Sequence, residues 1–236
     1  MSSPNLTRCP GATRSHNISR SFRLTAAAVA IAWAFAGTPA RASTDPALFI
    51  SNLGNQLQTV AGQPSAVQRQ PGFRQLFEAD FDVPGISRFV LGRYGRVLTP
   101  SEQQQFVCYF EDYVVLTFSD RLSQFVADGA VFKVIGSRPD ANGVIVYSQI
   151  SRGAGQAIRV DWHLIPFAGV YKVSDIAIDG VSMTLSGRSD LEGVVERNGG
   201  RADSILPVMR QEAASGTHGM PDRCRAIGVA QVRAPS

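Results

Sequence analysis

The chain has 236 residues, 44% hydrophobic and 18% charged, a balance that suits one medium globular domain and excludes a disordered or coiled-coil chain. Its formal charge is +4, but residues 1–42 hold Arg8, Arg14, Arg20, Arg23 and Arg41 and no acid. The remainder carries 18 basic and 19 acidic side chains, a net of −1, so bulk charge gives no case for a nucleic-acid partner.

Residues 1–42 read as a secretory signal. Arg20 and Arg23 precede an uncharged run from Leu24 to Ala36, Gly37 and Pro39 break it, and Ala40-Arg41-Ala42 puts small residues at the −3 and −1 positions. The run is short of the roughly 20 residues that a membrane span needs. Cleavage after Ala42 and export to the periplasm are expected.

Asp45-Pro46 opens the first helix, with Phe49, Leu53, Leu57 and Val60 at helical spacing before Gly62 to Pro64 stops it. A second helix is expected over 65–80, with Pro71-Gly72 as a kink or a later start. Asp82-Val83-Pro84 begins a short third helix that ends near Gly92 to Gly95. Thr99-Pro100-Ser101-Glu102 has capping-box spacing and starts a long helix. Its apolar stripe runs through Phe106, Phe110, Tyr113, Val114, Thr117 and Phe118 to Leu122 and Phe125.

Four strand-like runs follow: 130–138, 143–152, 157–166 and 170–179. The connectors are short, so the strands form an antiparallel meander. In the third run Ile158, Val160, Trp162 and Leu164 share one face, while Arg159, Asp161 and His163 share the other. In the fourth, Tyr171 and Val173 are out of phase with Ile176 and Ile178, which predicts a bulge near Ser174-Asp175. A helix from Thr184 or Ser189 to Arg197 and another over 203–212 close the domain. Helices, then strands, then helices predict an α+β domain over 43–213. Residues 214–236, rich in Gly, Ser, Pro and Arg, read as a flexible tail.

Cys9 falls in the signal. Cys108 on the long helix and Cys224 in the tail do not resemble a disulfide framework, so both are expected to be unpaired. No metal-binding His or Cys cluster, phosphate-binding glycine loop or nucleophile elbow is present. Glu78, Asp80 and Asp82 read as capping and surface acids rather than a cation site. Asp161, His163 and Asp175 form one constellation with acid–base potential, weighed against a solvated strand face.

An ordered series of short motifs runs through this half of the chain. Phe89-Val90-Leu91-Gly92-Arg93-Tyr94 ends a short helix, and Thr99-Pro100 begins a long one that closes in Asp120-Arg121-Leu122. Val160-Asp161-Trp162 lies on one strand and Tyr171-Lys172-Val173-Ser174-Asp175-Ile176 on the next. Gly180-Val181-Ser182-Met183, Arg188-Ser189 and Arg197-Asn198-Gly199-Gly200 complete the order. From about Phe73 to Met209 the chain resembles the MlaC, or toluene-tolerance, family of periplasmic phospholipid-binding proteins. It departs at Gly95, where an aromatic is common, at His163, where Arg is frequent, and in the extra tail.

The resemblance implies an NTF2-like fold, a curved antiparallel sheet of about four strands covered by helices, with an apolar cavity for acyl chains. It also implies no enzymatic activity, no cofactor and no metal. The chain would be the soluble part of a lipid transport pathway. Its partners would be an outer-membrane lipoprotein complex and the lipid-binding subunit of an inner-membrane ABC transporter. A hopanoid-associated branch matches equally, so the cargo is a phospholipid or a hopanoid-type lipid. The expected lining is Phe89, Val90, Phe106, Phe110, Tyr113 and Phe118 from the helices, facing Val146, Val160, Trp162, Leu164, Ile176 and Val181. Arg93 and Arg121 are candidates for a headgroup, though they also read as solvated surface. Two other readings stay open: a periplasmic adaptor with a filled core, and an NTF2-like enzyme using Asp161 and His163.

Overall fold

Side-chain caps fix where the helices begin. In the computed structural model, which describes residues 45–153, 155, 157–215 and 224, Asp45 Oδ1 accepts from the Ala47 N–H at 2.9 Å at the head of α1 (Pro46–Ala61). Asp82 does the same for Gly85 at the head of α3 (Val83–Leu91). The capping box heads α4 (Pro100–Ala127): Thr99 Oγ1 accepts from Glu102 N–H, and Glu102 Oε2 accepts from Thr99 N–H at 2.7 Å. Between these lie α2 (Ala66–Asp80), which runs unbroken through Pro71, and a 3₁₀ turn over Gly92–Arg96. The expected signal over 1–42 lies outside the described residues.

The strands form one antiparallel meander of five, in the order β1 (Val131–Asp140), β2 (Gly143–Ser151), β3 (Ile158–Phe167), β4 (Val170–Ile178) and β5 (Val181–Ser182). The count of about four rises to five because Asp179 and Gly180, both at positive φ, turn the chain straight back onto β4. His163 pairs with Asp175 and Leu164 with Val173. Ser174 is therefore the extra residue, where the change of apolar phase placed a bulge. A second irregularity skips Ile135 between Val134 and Gly136 on β1. The sequence reading assigns no bulge to that run. Two closing helices follow, α5 (Met183–Arg197), capped by Ser182, and α6 (Ile205–Ser215).

The apolar interior divides into two clusters. One joins α3, the 3₁₀ turn, α4, α5 and α6 around Phe106, Tyr109, Val195 and Ile205. The other lies between α1 and the inner face of the sheet, around Ile50, Leu53, Val146, Trp162 and Leu164. Phe81 packs against both. On α1, a Cβ at Gly54 would stand 2.4 Å from the Phe132 ring on β1, so only glycine lets the helix lie this close to the sheet.

Two expectations require correction. Cys108 and Cys224 are bonded to each other, with Cα atoms 5.6 Å apart and 116 residues between them in sequence. Their spacing carries no sign of the pairing, because the fold alone brings the C-terminal segment back to α4. A flexible tail over 214–236 therefore fails at Cys224, which is fully buried in the helical cluster. The rest of that stretch beyond Ser215 lies outside the described residues. The buried face of α4 is also rotated from the expected stripe. Cys108, Glu111, Asp112, Val115 and Ser119 are buried, whereas Tyr113 is exposed. The acids turn inward because Arg74 of α2 reaches Glu111 at 3.0 Å and Asp112 at 2.7 Å.

A disulfide typically stabilises a protein by about 2–4 kcal/mol, and chain entropy puts a loop this long near the upper end of the range, at about 4–5 kcal/mol. Cys108→Ala and Cys224→Ala should each lower the thermal midpoint, with the double variant little worse than either, as read by differential scanning fluorimetry with and without reductant. Gly54→Val should cost about 1–3 kcal/mol by overpacking against Phe132, measurable by chemical denaturation.

Candidate functional site

The two clusters differ in how completely they close. Among the described residues the helical cluster has sixteen buried members and five half-buried ones. The cluster under the sheet has seven buried members and eleven half-buried ones, among them Phe132, Val134, Ile150, Ile158, Tyr171 and Ile176. Large apolar side chains thus stand in a layer that the protein's own atoms cover only in part. At about 25 cal/mol per Å² of apolar surface left in water, this is where a ligand's hydrocarbon gains most by filling in.

Trp162 sits at the centre of this layer. Its strand neighbours are Val146 on β2 and Ile176 on β4, and its ring meets Phe132 edge-on at 6.2 Å. The indole N–H donates to Ser148 Oγ at 2.8 Å, and that hydroxyl donates to the Val160 carbonyl at 3.1 Å. Both polar groups are satisfied inside the wall, and the surface they present is apolar.

The structure brings together five of the expected lining residues here: Val146, Val160, Trp162, Leu164 and Ile176. Val90, Phe106 and Phe110 belong to the helical cluster instead. Phe118 is half-buried on α4. Phe89, Tyr113 and Val181 are 42%, 37% and 57% exposed and belong to neither cluster. Sequence reasoning missed the opposite wall, Ile50 and Leu57 of α1 with Phe132 of β1. The signal was present for Leu57, which is in the helical stripe of α1. Phe132 could be assigned only once its partner Gly54 was known.

The polar residues singled out by sequence are committed elsewhere. Asp175 accepts from Ile176 N–H, from Thr184 N–H at 3.0 Å and from Ser182 Oγ–H at 2.5 Å. It thereby ties β4 to the head of α5. Asp161 holds Arg159 in a two-pronged pair at 2.7 and 2.8 Å. His163 lies half-buried on the outer face, opposite Ile145 and Asp175. Lys172 donates to the carbonyls of Glu78 and Ala79. Burial pushes the Asp80 carboxyl above the usual range, with Lys172 acting against it. Arg93 and Arg121 are exposed, each stacked over a neighbouring ring, Tyr94 and Phe118. Among the described residues one trio of metal-type ligands converges, Cys108, Asp112 and Cys224, and its two cysteines are joined in the disulfide.

Among solved structures, the chain is similar to a phospholipid-binding protein from Ralstonia solanacearum, determined in complex with a phospholipid. The two are 18% identical with a TM-score of 0.62, over 74% of this chain and 99% of that one, which shows a shared fold. No curated protein sequence matches. A family model described as MlaC protein matches residues 50–211, well over half of the chain, from the middle of α1 into α6. The chain belongs to the MlaC family.

Proposed function

We propose that this protein binds a phospholipid between α1 and the inner face of the sheet and carries it through the periplasm. The observation that carries this reading is the incomplete closure of that cluster around Trp162. Eleven apolar side chains there are half-buried, against five in the helical cluster beside them. Each methylene that enters such a layer contributes about 0.8 kcal/mol, so acyl chains supply the binding energy without a charged anchor. The fold shared with a phospholipid-bound protein supports the ligand class, and membership of the MlaC family supports the carrier role.

In this reading the signal over 1–42 exports the chain. The carrier then exchanges lipid with an outer-membrane complex and with the lipid-binding subunit of an inner-membrane ABC transporter. It acts by binding and release and makes or breaks no covalent bond. Asp161 and His163 lie on the outer sheet face, away from the apolar layer, so they have no part in holding the lipid.

Native mass spectrometry with lipid extraction, on protein recovered after export from a bacterial host, should show one discrete added mass. A phospholipid mass supports the proposal, and a triterpenoid mass would replace the cargo with a hopanoid. Protein that emerges empty and takes nothing from phospholipid vesicles would overturn the carrier reading. Ile150→Glu and Ile158→Glu alter half-buried side chains and should keep the fold while losing the bound mass. His163→Ala should retain it. Ser148→Ala leaves the indole N–H without its acceptor and should cost about 1–3 kcal/mol of stability, measured by urea unfolding of the delipidated protein.

A further inference from the structure

The β3–β4 hairpin outruns the rest of the sheet. Pairing of β2 with β3 stops at Val144 and Leu164. Pairing of β3 with β4 continues through Ile165 with Lys172, Pro166 with Tyr171 and Phe167 with Val170. The hairpin extends three residues past β2, roughly 10 Å at the rise of a β-strand.

Its composition is the reverse of what water favours at a turn. Residues 164–171 contain no charge and no side-chain amide or aliphatic hydroxyl. Phe167 is 54% and Val170 49% exposed. The two turn residues, Ala168 and Gly169, have φ of 48° and 88°. That left-handed backbone suits Asn, Asp or Gly at the first position, and alanine there is strained. A strained, exposed, uncharged tip is a cost in water that a second environment can offset. Lys172 lies 5.8 Å from the Phe167 ring, one cation at the base of an apolar tip. The apolar surface continues sideways and inward. Tyr171 meets the Phe49 ring of α1 at 6.5 Å, and both pack against the open cluster around Trp162. Leu48, next on α1, is also exposed.

We propose that this hairpin tip, with the start of α1, is a membrane-docking surface whose partner is a lipid bilayer. Three features select the bilayer. The reach matches the depth of about 5–10 Å to which interfacial elements enter the headgroup region. The tip projects past the neighbouring strand β2, and it adjoins Tyr171, which packs on the open cluster. The cation behind the tip, Lys172, is tied to the Glu78 and Ala79 carbonyls, so the tip enters the headgroup region carrying no charge of its own. Docking stands on the tip alone, and its use as the entry route for cargo rests on the carrier reading above.

The test places a reporter at the tip. Phe167→Trp is mixed with vesicles of phosphatidylethanolamine and phosphatidylglycerol, with or without lipids brominated at the upper acyl carbons. Emission is read as the difference from the exported parent protein, whose tryptophan after loss of residues 1–42 is Trp162. The expected result is a shift to shorter wavelength with vesicles and loss of the added emission with brominated lipid. Adding Ala168→Asn should raise the thermal midpoint by about 2–4 °C as strain is relieved, and reduce the quenching as the tip becomes polar. Emission that vesicles leave unchanged overturns the proposal. So does a shift that depends on protein concentration without vesicles, which would assign the tip to a second copy of the chain. Mass spectrometry of the same preparation separates the two ideas. Bound lipid with unchanged emission removes the docking tip alone, whereas quenching without bound lipid removes the carrier reading and leaves the tip.

Discussion

One helix lies over a sheet face wider than itself, and most of the structure's character follows from that mismatch. A helix with its side chains is about 10 Å across, while four strands at about 4.8 Å spacing span more. α1 settles against β1 and β2, seated by Gly54 on the Phe132 ring. Across the face, Phe132 and Val134 of β1, Val144 and Ile150 of β2, Ile158 of β3, and Tyr171 and Ile176 of β4 are left with partial cover. A larger residue at 54 would lift the helix and loosen the contact. A second helix laid over the same face would close it, but α2 reaches that face through Leu76, and the later helices pack with each other around Phe106 and Val195.

The helical half supplies the rigidity that an unfilled layer cannot. Arg74 bridges α2 to Glu111 and Asp112, Arg69 reaches Asp120 at 2.7 Å, and the disulfide holds Cys224 against α4. These charged pairs are partly or fully buried, so removing one partner would cost more than their formation gains. Their use is to fix the angle of α2 on α4. Asp175 does the equivalent at the other end, where its hydrogen bonds from Ser182 and Thr184 fasten β4 to the head of α5. The division of labour is plain. Polar and covalent ties hold the frame, and apolar surface without a full complement of neighbours is kept under the sheet, the side proposed for the ligand.

Local rules were legible in the sequence because each acts within a few residues. Asp45, Asp82 and Thr99 marked helix starts, alternation in β3 marked the inner face, and the change of phase across β4 marked the bulge at Ser174. These signals placed Trp162 and its strand neighbours on the apolar wall. What escaped depended on distant parts of the chain. Nothing near Cys108 indicates that residue 224 returns to it, and nothing in the α4 stripe indicates that Asp112 will be buried by Arg74. Tyr113 fitted the helical period as well as Val115 did, and the packing of α2 and the C-terminal segment decided between them. The family resemblance carried the topology, but it could not assign side chains to one cluster or the other.

A single hairpin connects the interior to the outside. Along β3 the apolar side chains pass from buried Trp162 and Leu164 to exposed Pro166 and Phe167. Along β4 they pass from buried Val173 through half-buried Tyr171 to exposed Val170. Most soluble proteins interrupt such a ribbon with charge before it meets water. Here the first charge on β4 is Lys172, which shares the face of Phe167 and Val170 and turns its ammonium back to the end of α2, so the inner-face ribbon of Trp162, Leu164, Pro166 and Tyr171 reaches the surface without a charge. A closed core has no use for such a path, because its hydrophobic surface is already satisfied by its own neighbours. A layer that receives hydrocarbon, as proposed, would need one, and Ala168, where the backbone suits Asn or Asp, leaves the outer end of that path without a polar side chain.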